Sequence, residues 1–198
     1  MAGTSAAPRR NTDDAAKNRV ALLDAAEQLM LDEGYAAVTA RRVAAKAGLG
    51  PQLVHYYFAS MDELFVGILR RGAQRTASLI EKAVDSRRPL HALWAISSNP
   101  RVTTLSTELL AAARHRSDIR TELIVASEQF RRAQTNALSQ VLQRYEVDTG
   151  GISVGIVTFV FESAIRTISA EADVGITAFH DETLSFIHDF LVRIEGEE

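Results

Sequence analysis

Arg41, Arg42, Gln52, His55 and Tyr56 are the side chains whose types and spacing best suit recognition of another molecule. A guanidinium presents a planar fork of donors that fits a guanine edge or a phosphate, so Arg41 and Arg42 suit one of each. The Gln52 amide can pair bidentately with adenine. His55 can meet a base or a phosphate, and Tyr56 can donate its hydroxyl to a phosphate. Gly50 and Pro51, which open the same segment, belong with this set. The set suits a nucleic-acid duplex, and nothing comparable exists for catalysis. The chain has no G-x-x-x-x-G-K-[ST] loop, no G-x-S-x-G and no H-E-x-x-H. The histidines are His55, His91, His115, His180 and His188; no two are three or four apart, and there are no cysteines. No metal, no cofactor and no enzymatic activity are therefore expected.

To act together these groups need a rigid frame, and Thr39 to Glu63 reads as one. Val43, Ala44 and Ala47 form an apolar stripe on a short helix. Gly48 follows, where a turn with positive φ would penalise any Cβ. Pro51 stands at a first helical position, where its fixed φ fits and its missing N–H is not needed. Val54, Tyr57 and Phe58 give the second helix an inward face and leave Gln52, His55 and Tyr56 outward. Ser60-Met-Asp-Glu63 matches the S-x-x-E capping box and starts a third helix. Two short helices around a tight turn, with polar groups on the second, fit a DNA major groove.

Thr39, Val43-Ala44, Ala47-Gly48-Leu49, Tyr57-Phe58, Ser60 and Glu63-Leu64 together resemble the DNA-binding domain of TetR-family transcriptional regulators. The resemblance covers about residues 15 to 69; the rest matches only in length and helical character. It implies that Thr39 caps its helix and touches phosphate, that a preceding helix braces the pair, and that a helical body holds a ligand cavity. It also implies that the last two helices, about 152–194, form a four-helix bundle with a second copy. Departures from the family pattern lie at Gly50, Pro51, Gln52 and Met61. They predict unusual base readout and a weaker phosphate grip.

The 198 residues are 46% hydrophobic and 24% charged, as in an ordinary globular protein. No apolar run is long enough to span a membrane, and the first residues have no signal-like apolar core. Together with the absence of cysteine, this fits a cytoplasmic protein. Net charge is −3, but unevenly spread: residues 1–60 hold seven Lys/Arg against six acids, and the remainder fifteen against nineteen. The head is nearly neutral and the body acidic.

The predicted organisation is all-α with about nine helices: a flexible arm over 1–14, a helix-turn-helix domain over 15–59, and a helical ligand-binding and dimerisation domain over 60–198. Arg9 and Arg10 in the arm suit a minor groove or phosphates, or simply a solvated tail. Helices are expected over Ala15–Leu31 and from Ser60 to about Asp85, the latter with Gly67 and Gly72 inside it for close packing or bending. Further helices are expected after Pro89 and Asn99-Pro100, and from Ser117 to about Tyr145. The last two are Ile152 to Ala172 and Thr177 to Ile194. Leu79, Leu110, Ile124, Phe179 and Phe186 count among the inward residues. Candidate cavity walls are Trp94, Leu105, Leu109, Phe130, Phe159 and Ile165. Glu162 and Arg166, four apart in an apolar helix, can pair with each other, meet the mate of a dimer, or orient a ligand head group.

Two functional readings follow. The first is a homodimeric regulator, most simply a repressor, released from a palindromic operator by a small hydrophobic ligand. The second is a helical protein-interaction module whose head no longer binds DNA, which the neutral head and Met61 favour.

Overall fold

The computed structural model describes residues 8–196, with side-chain surroundings from residue 14 onward. Among the described residues there are nine α-helices, one short 3-10 turn and no strand. They fall into two compact units that meet in sequence at Ile68 and Leu69.

The first unit contains α1 (Pro8–Glu33), a 3-10 turn (Tyr35–Ala37), α2 (Ala40–Ala47), α3 (Pro51–Tyr57) and the start of α4 (Met61–Val84). Helix α1 begins about two turns earlier than expected. Residues 8–14, assigned to the arm, are helical, because a proline is tolerated in a first helical turn. Residues 1–7 of the proposed arm lie outside the described residues, as do the side chains of Arg9 and Arg10. One face of α1 buries Leu22, Ala26 and Met30 completely, and Val43 and Ala44 of α2, Val54 of α3, Phe58, and Leu64 and Phe65 of α4 are buried in the same unit. Each such large side chain contributes about 1.5–3 kcal/mol by leaving water. Gly34, at φ 81°, turns the chain out of α1.

Gly67 sits where a Cβ would come 3.0 Å from the Leu23 methyl, so it permits a close approach of α4 to α1. At Gly72 an added Cβ would meet nothing within 4 Å, and packing gives no reason for glycine there.

The second unit holds the rest of α4, then α5 (Pro89–Ser97), α6 (Pro100–Ala113), α7 (Ser117–Arg144), α8 (Val154–Ala172) and α9 (His180–Glu195). Its core joins Ile80, Leu90, Leu93, Val141, Ile187 and Leu191. Asn99 caps α6 through Oδ1, which accepts from the Arg101 N–H at 3.0 Å, with Pro100 in the first turn as expected. Gly150 and Gly151 adopt positive φ in the loop between α7 and α8, and Gly175 (φ 83°) turns the chain just past α8. Helix α9 starts at His180, three residues later than expected, behind Phe179 at φ 65°. Five residues expected inward are exposed: Leu79, Leu110, Ile124, Phe179 and Phe186. Each continues an apolar periodicity, but periodicity marks a face without saying whether another element covers it. Among the described residues no helix is long and apolar enough to cross a membrane.

Candidate functional site

Thr39 is extended (φ −117°, ψ 153°), and its hydroxyl accepts from the Arg42 N–H at 3.4 Å, capping α2. Helix α2 ends in a Schellman arrangement. Gly48 is left-handed (φ 67°, ψ 28°), its N–H donates to the Ala45 carbonyl at 3.2 Å, and the Leu49 N–H donates to the Ala44 carbonyl at 2.9 Å. Gly50 then caps α3 with Pro51 in its first turn. An added Cβ at Gly50 would lie 2.5 Å from the Gln52 amide nitrogen, so the Gln52 side chain folds back over this glycine. The Ser60 hydroxyl accepts from the Glu63 N–H at 3.1 Å, and the Glu63 carboxylate accepts from the Ala59 N–H at 2.6 Å. Both donors at the mouth of α4 are met, one residue earlier than the usual reciprocal box.

These caps fix the outward face. Thr39, Arg41, Arg42, Pro51, Gln52, His55 and Tyr56 are all exposed, while Gly50 is half-buried. Tyr56 is 76% exposed, its ring edge-on to Tyr57 with centroids 5.0 Å apart. Buried Val54 and Phe58 hold the opposite side of α3. Two cations of α2 are already engaged: Arg42 pairs with Glu33, and Lys46 with Asp32 at 3.2 Å. The Asp32 carboxyl is held below its ordinary range by the Gln28 amide and by Lys46. Arg41 has no ion-pair partner among the described residues.

The second unit forms a partly open apolar cavity of about 330 Å³ between α5, α7, α8 and α9. Trp94, Phe161, Phe186 and Phe190 line it, with Trp94 and Phe161 edge-on at 6.5 Å and Phe161 and Phe190 at 6.4 Å. Its polar wall comprises Ser97, Gln134, Thr158 and Glu162, together with Asp148 and Thr149. The Gln134 amide donates to the Ser97 hydroxyl at 2.6 Å, and the Thr158 hydroxyl to the Val154 carbonyl at 2.9 Å. Glu162 is 6% exposed. Its Oε2 accepts from Arg131 Nε at 3.4 Å, and its Oε1 is buried with no hydrogen-bond partner. Burial pushes this carboxyl up from its ordinary range, against the pull of Arg131 and, more weakly, Arg166.

Residues 22–68, the capped helices just described, match the family model for bacterial regulatory proteins of the tetR family. Over this segment the chain is similar to the tetR family. A stretch of 52 residues is 42% identical to the HTH-type transcriptional regulator BetI of Rhizobium meliloti (strain 1021). That stretch is 26% of this chain and spans only 26% of the relative. The fold is similar over a longer range. A solved structure from Saccharomonospora viridis in complex with choline superposes with a TM-score of 0.74 at 15% identity, covering 89% of this chain and 96% of that one. A TetR transcription regulator from Haloarcula marismortui ATCC 43049 gives 0.70 at 18% identity, covering 90% and 98%.

The two expected sets of residues fare differently. All eight residues proposed for DNA lie at or between the ends of α2 and α3. Of the eight proposed for a cavity, Trp94 and Glu162 line the large one. Phe130, Ile165 and Arg166 line a recess of about 50 Å³ that also touches Ser97 and Glu162. Leu109 is buried, and neither it nor Leu105 lines either space. Phe159 is a correction: it is 51% exposed, under the Arg131 guanidinium at 5.2 Å. Helix α8 turns Thr158, Phe161, Glu162 and Ile165 inward, and this i, i+3, i+4, i+7 row excludes Phe159. That row was the available signal for Phe161, which sequence reasoning missed. Phe190 and Gln134 were also missed; they come from helices distant in sequence.

Proposed function

We propose that this chain is a DNA-binding transcriptional regulator, acting as a homodimeric repressor that a small ligand releases from a palindromic operator. The observation that carries the reading is the exposed polar row of α3, Gln52, His55 and Tyr56, held outward by buried Val54 and Phe58 and joined to the Thr39 cap and exposed Arg41. Gln52 and His55 read bases, while Thr39, Arg41 and Tyr56 meet phosphates. Dimerisation through α8 and α9 is supported by Ile156, Phe159, Val160 and Phe186, each more than half exposed in the single chain. A surface of that kind on a lone protomer favours a partner. The cavity lined by Trp94 is the ligand site. The choline held by the Saccharomonospora viridis structure of the same fold supports a small-molecule role. The ligand acts by preferring the conformation in which the heads no longer fit the operator.

The test begins with genomic fragments selected on the purified protein, then anisotropy titrations on the recovered site. Gln52→Ala and Tyr56→Phe should each weaken binding about 5- to 150-fold, from about 1–3 kcal/mol per lost contact. Neither should alter thermal unfolding, since both side chains are exposed and Phe keeps the ring contact with Tyr57. Unchanged affinity in both variants would refute the placement of α3 on the bases.

A further inference from the structure

The cavity of the second unit does not have the walls of a purely hydrophobic site. Its only charged lining residues are two acids, Asp148 and Glu162, set among the aromatic rings of Trp94, Phe161, Phe186 and Phe190. Asp148 is locally occupied: its Oδ1 accepts from the Gly150 N–H at 2.8 Å. Glu162 is different. It is more than nine-tenths buried, and only one of its two carboxylate oxygens has a partner. A buried carboxylate oxygen left unmatched carries a desolvation penalty that a donor from a ligand would relieve. Arg131, which serves the other oxygen, is not itself part of the cavity wall.

We propose that this cavity takes a lipophilic cation, an amine or ammonium on an apolar body, with the positive head on Glu162 Oε1 and the body among the aromatic rings. This assignment rests on the reading of the cavity as the ligand site and specifies its chemistry. Three features of the wall agree. Aromatic faces attract cations through their quadrupoles. An anionic ligand would meet two acids and no basic lining residue. The volume, about 330 Å³, lies at the small end of the range for ligand sites, enough for one slender molecule. A bound cation would also oppose the upward push that burial exerts on the Glu162 carboxyl. Glu162 therefore has a role beyond packing: it selects the charge of the ligand.

The experiment compares n-decylamine, n-decanol and n-decanoate, which share one chain and differ in head charge, all below their micellar concentrations. Trp94 is the chain's single tryptophan and lines the cavity, so its fluorescence reports occupancy. Decylamine should bind at least about tenfold more tightly than decanol, the scale of one hydrogen bond to a buried charge, and decanoate more weakly than either. Glu162→Gln should remove that advantage while leaving decanol within about twofold, which also shows that the variant cavity is intact. Decanol binding as tightly as decylamine, or decylamine binding unchanged in Glu162→Gln, would overturn the cation assignment and leave the cavity as a ligand site. No response of Trp94 to any of the three would overturn the cavity as a ligand site, and the assignment with it.

Discussion

Glu195 ties the last turn of α9 to the first turn of α5, and its removal should be costly. Its side chain is 1% exposed. Oε1 accepts from the Leu90 N–H at 2.8 Å, and Oε2 accepts from the His91 N–H at 3.1 Å and lies 2.7 Å from His91 Nδ1. Leu90 and His91 are in the first turn of α5, so these N–H groups have no partner within the helix. Pro89 precedes them, and Arg88 provides no side-chain cap, which leaves a carboxylate from 104 residues away to do that work. Two backbone donors losing a charged acceptor at a helix N-terminus set a cost of about 2–4 kcal/mol for Glu195→Ala. Glu195→Gln keeps an acceptor and should cost less. Burial alone would push the Glu195 carboxyl up, but His91, the two backbone donors and the Tyr145 hydroxyl together hold it below its ordinary range. A lowered folded pKa means the stabilisation is full above the unfolded value, about 4.3, and is lost as pH falls through the folded one. The stability gap between the native protein and Glu195→Gln should therefore be constant near neutrality and close below about pH 4. Urea unfolding followed by Trp94 fluorescence, at neutral and acid pH, measures it. A Glu195→Ala loss under about 0.5 kcal/mol at neutral pH, or a gap that persists in acid, would refute this account of the α5 cap.

Two further outcomes concern packing and assembly. Gly72→Ala should raise stability by up to about 1 kcal/mol, because the site is open and alanine favours helix, whereas Gly67→Ala should gain less or lose, since Leu23 must give way; chemical denaturation of both variants compares them. Val160→Glu, on the exposed face of α8, should weaken a dimer about thirtyfold or more while leaving the protomer folded, read by sedimentation and circular dichroism.

Most of the helix-turn-helix frame was legible in the sequence because its determinants act over one to five residues. Thr39 bonds three residues ahead, Gly48 and Leu49 bond back across one turn, and Pro51 and Ser60 act at the helix starts they occupy. Local chemistry of this kind depends little on the rest of the fold. The cavity was less legible for the converse reason. Spacing offered Arg166 as one of several partners for Glu162, yet the hydrogen bond comes from Arg131, 31 residues away on α7. Phe159 and Phe161 are equally apolar and two residues apart, so only the neighbouring helices decide which is wall and which is surface. Residues 8–14 were misread because Pro8 and the polar residues after it suit either an arm or a first helical turn.

The charge pattern of the head bears directly on how it would hold DNA. Of the three cations on α2, Arg42 and Lys46 are matched by Glu33 and Asp32 at the end of α1, and Arg41 alone has no ion-pair partner among the described residues. Such pairs neutralise their own cations before any phosphate arrives. Binding must then lean on hydroxyls and the N-terminal ends of α2 and α3, whose partial charges attract phosphate without releasing a full counterion for each contact. The slope of log K against log salt should accordingly be shallow for a dimeric DNA binder. Arg41→Ala should flatten it further by about 2 per dimer, one phosphate contact from each protomer. Arg42→Ala has a different signature: it frees Glu33 near the backbone, so affinity falls through repulsion as well as through a lost contact. A steep native slope that Arg41→Ala leaves unchanged would show that the phosphate grip comes from cations outside α2, and the role given to Arg41 would be wrong.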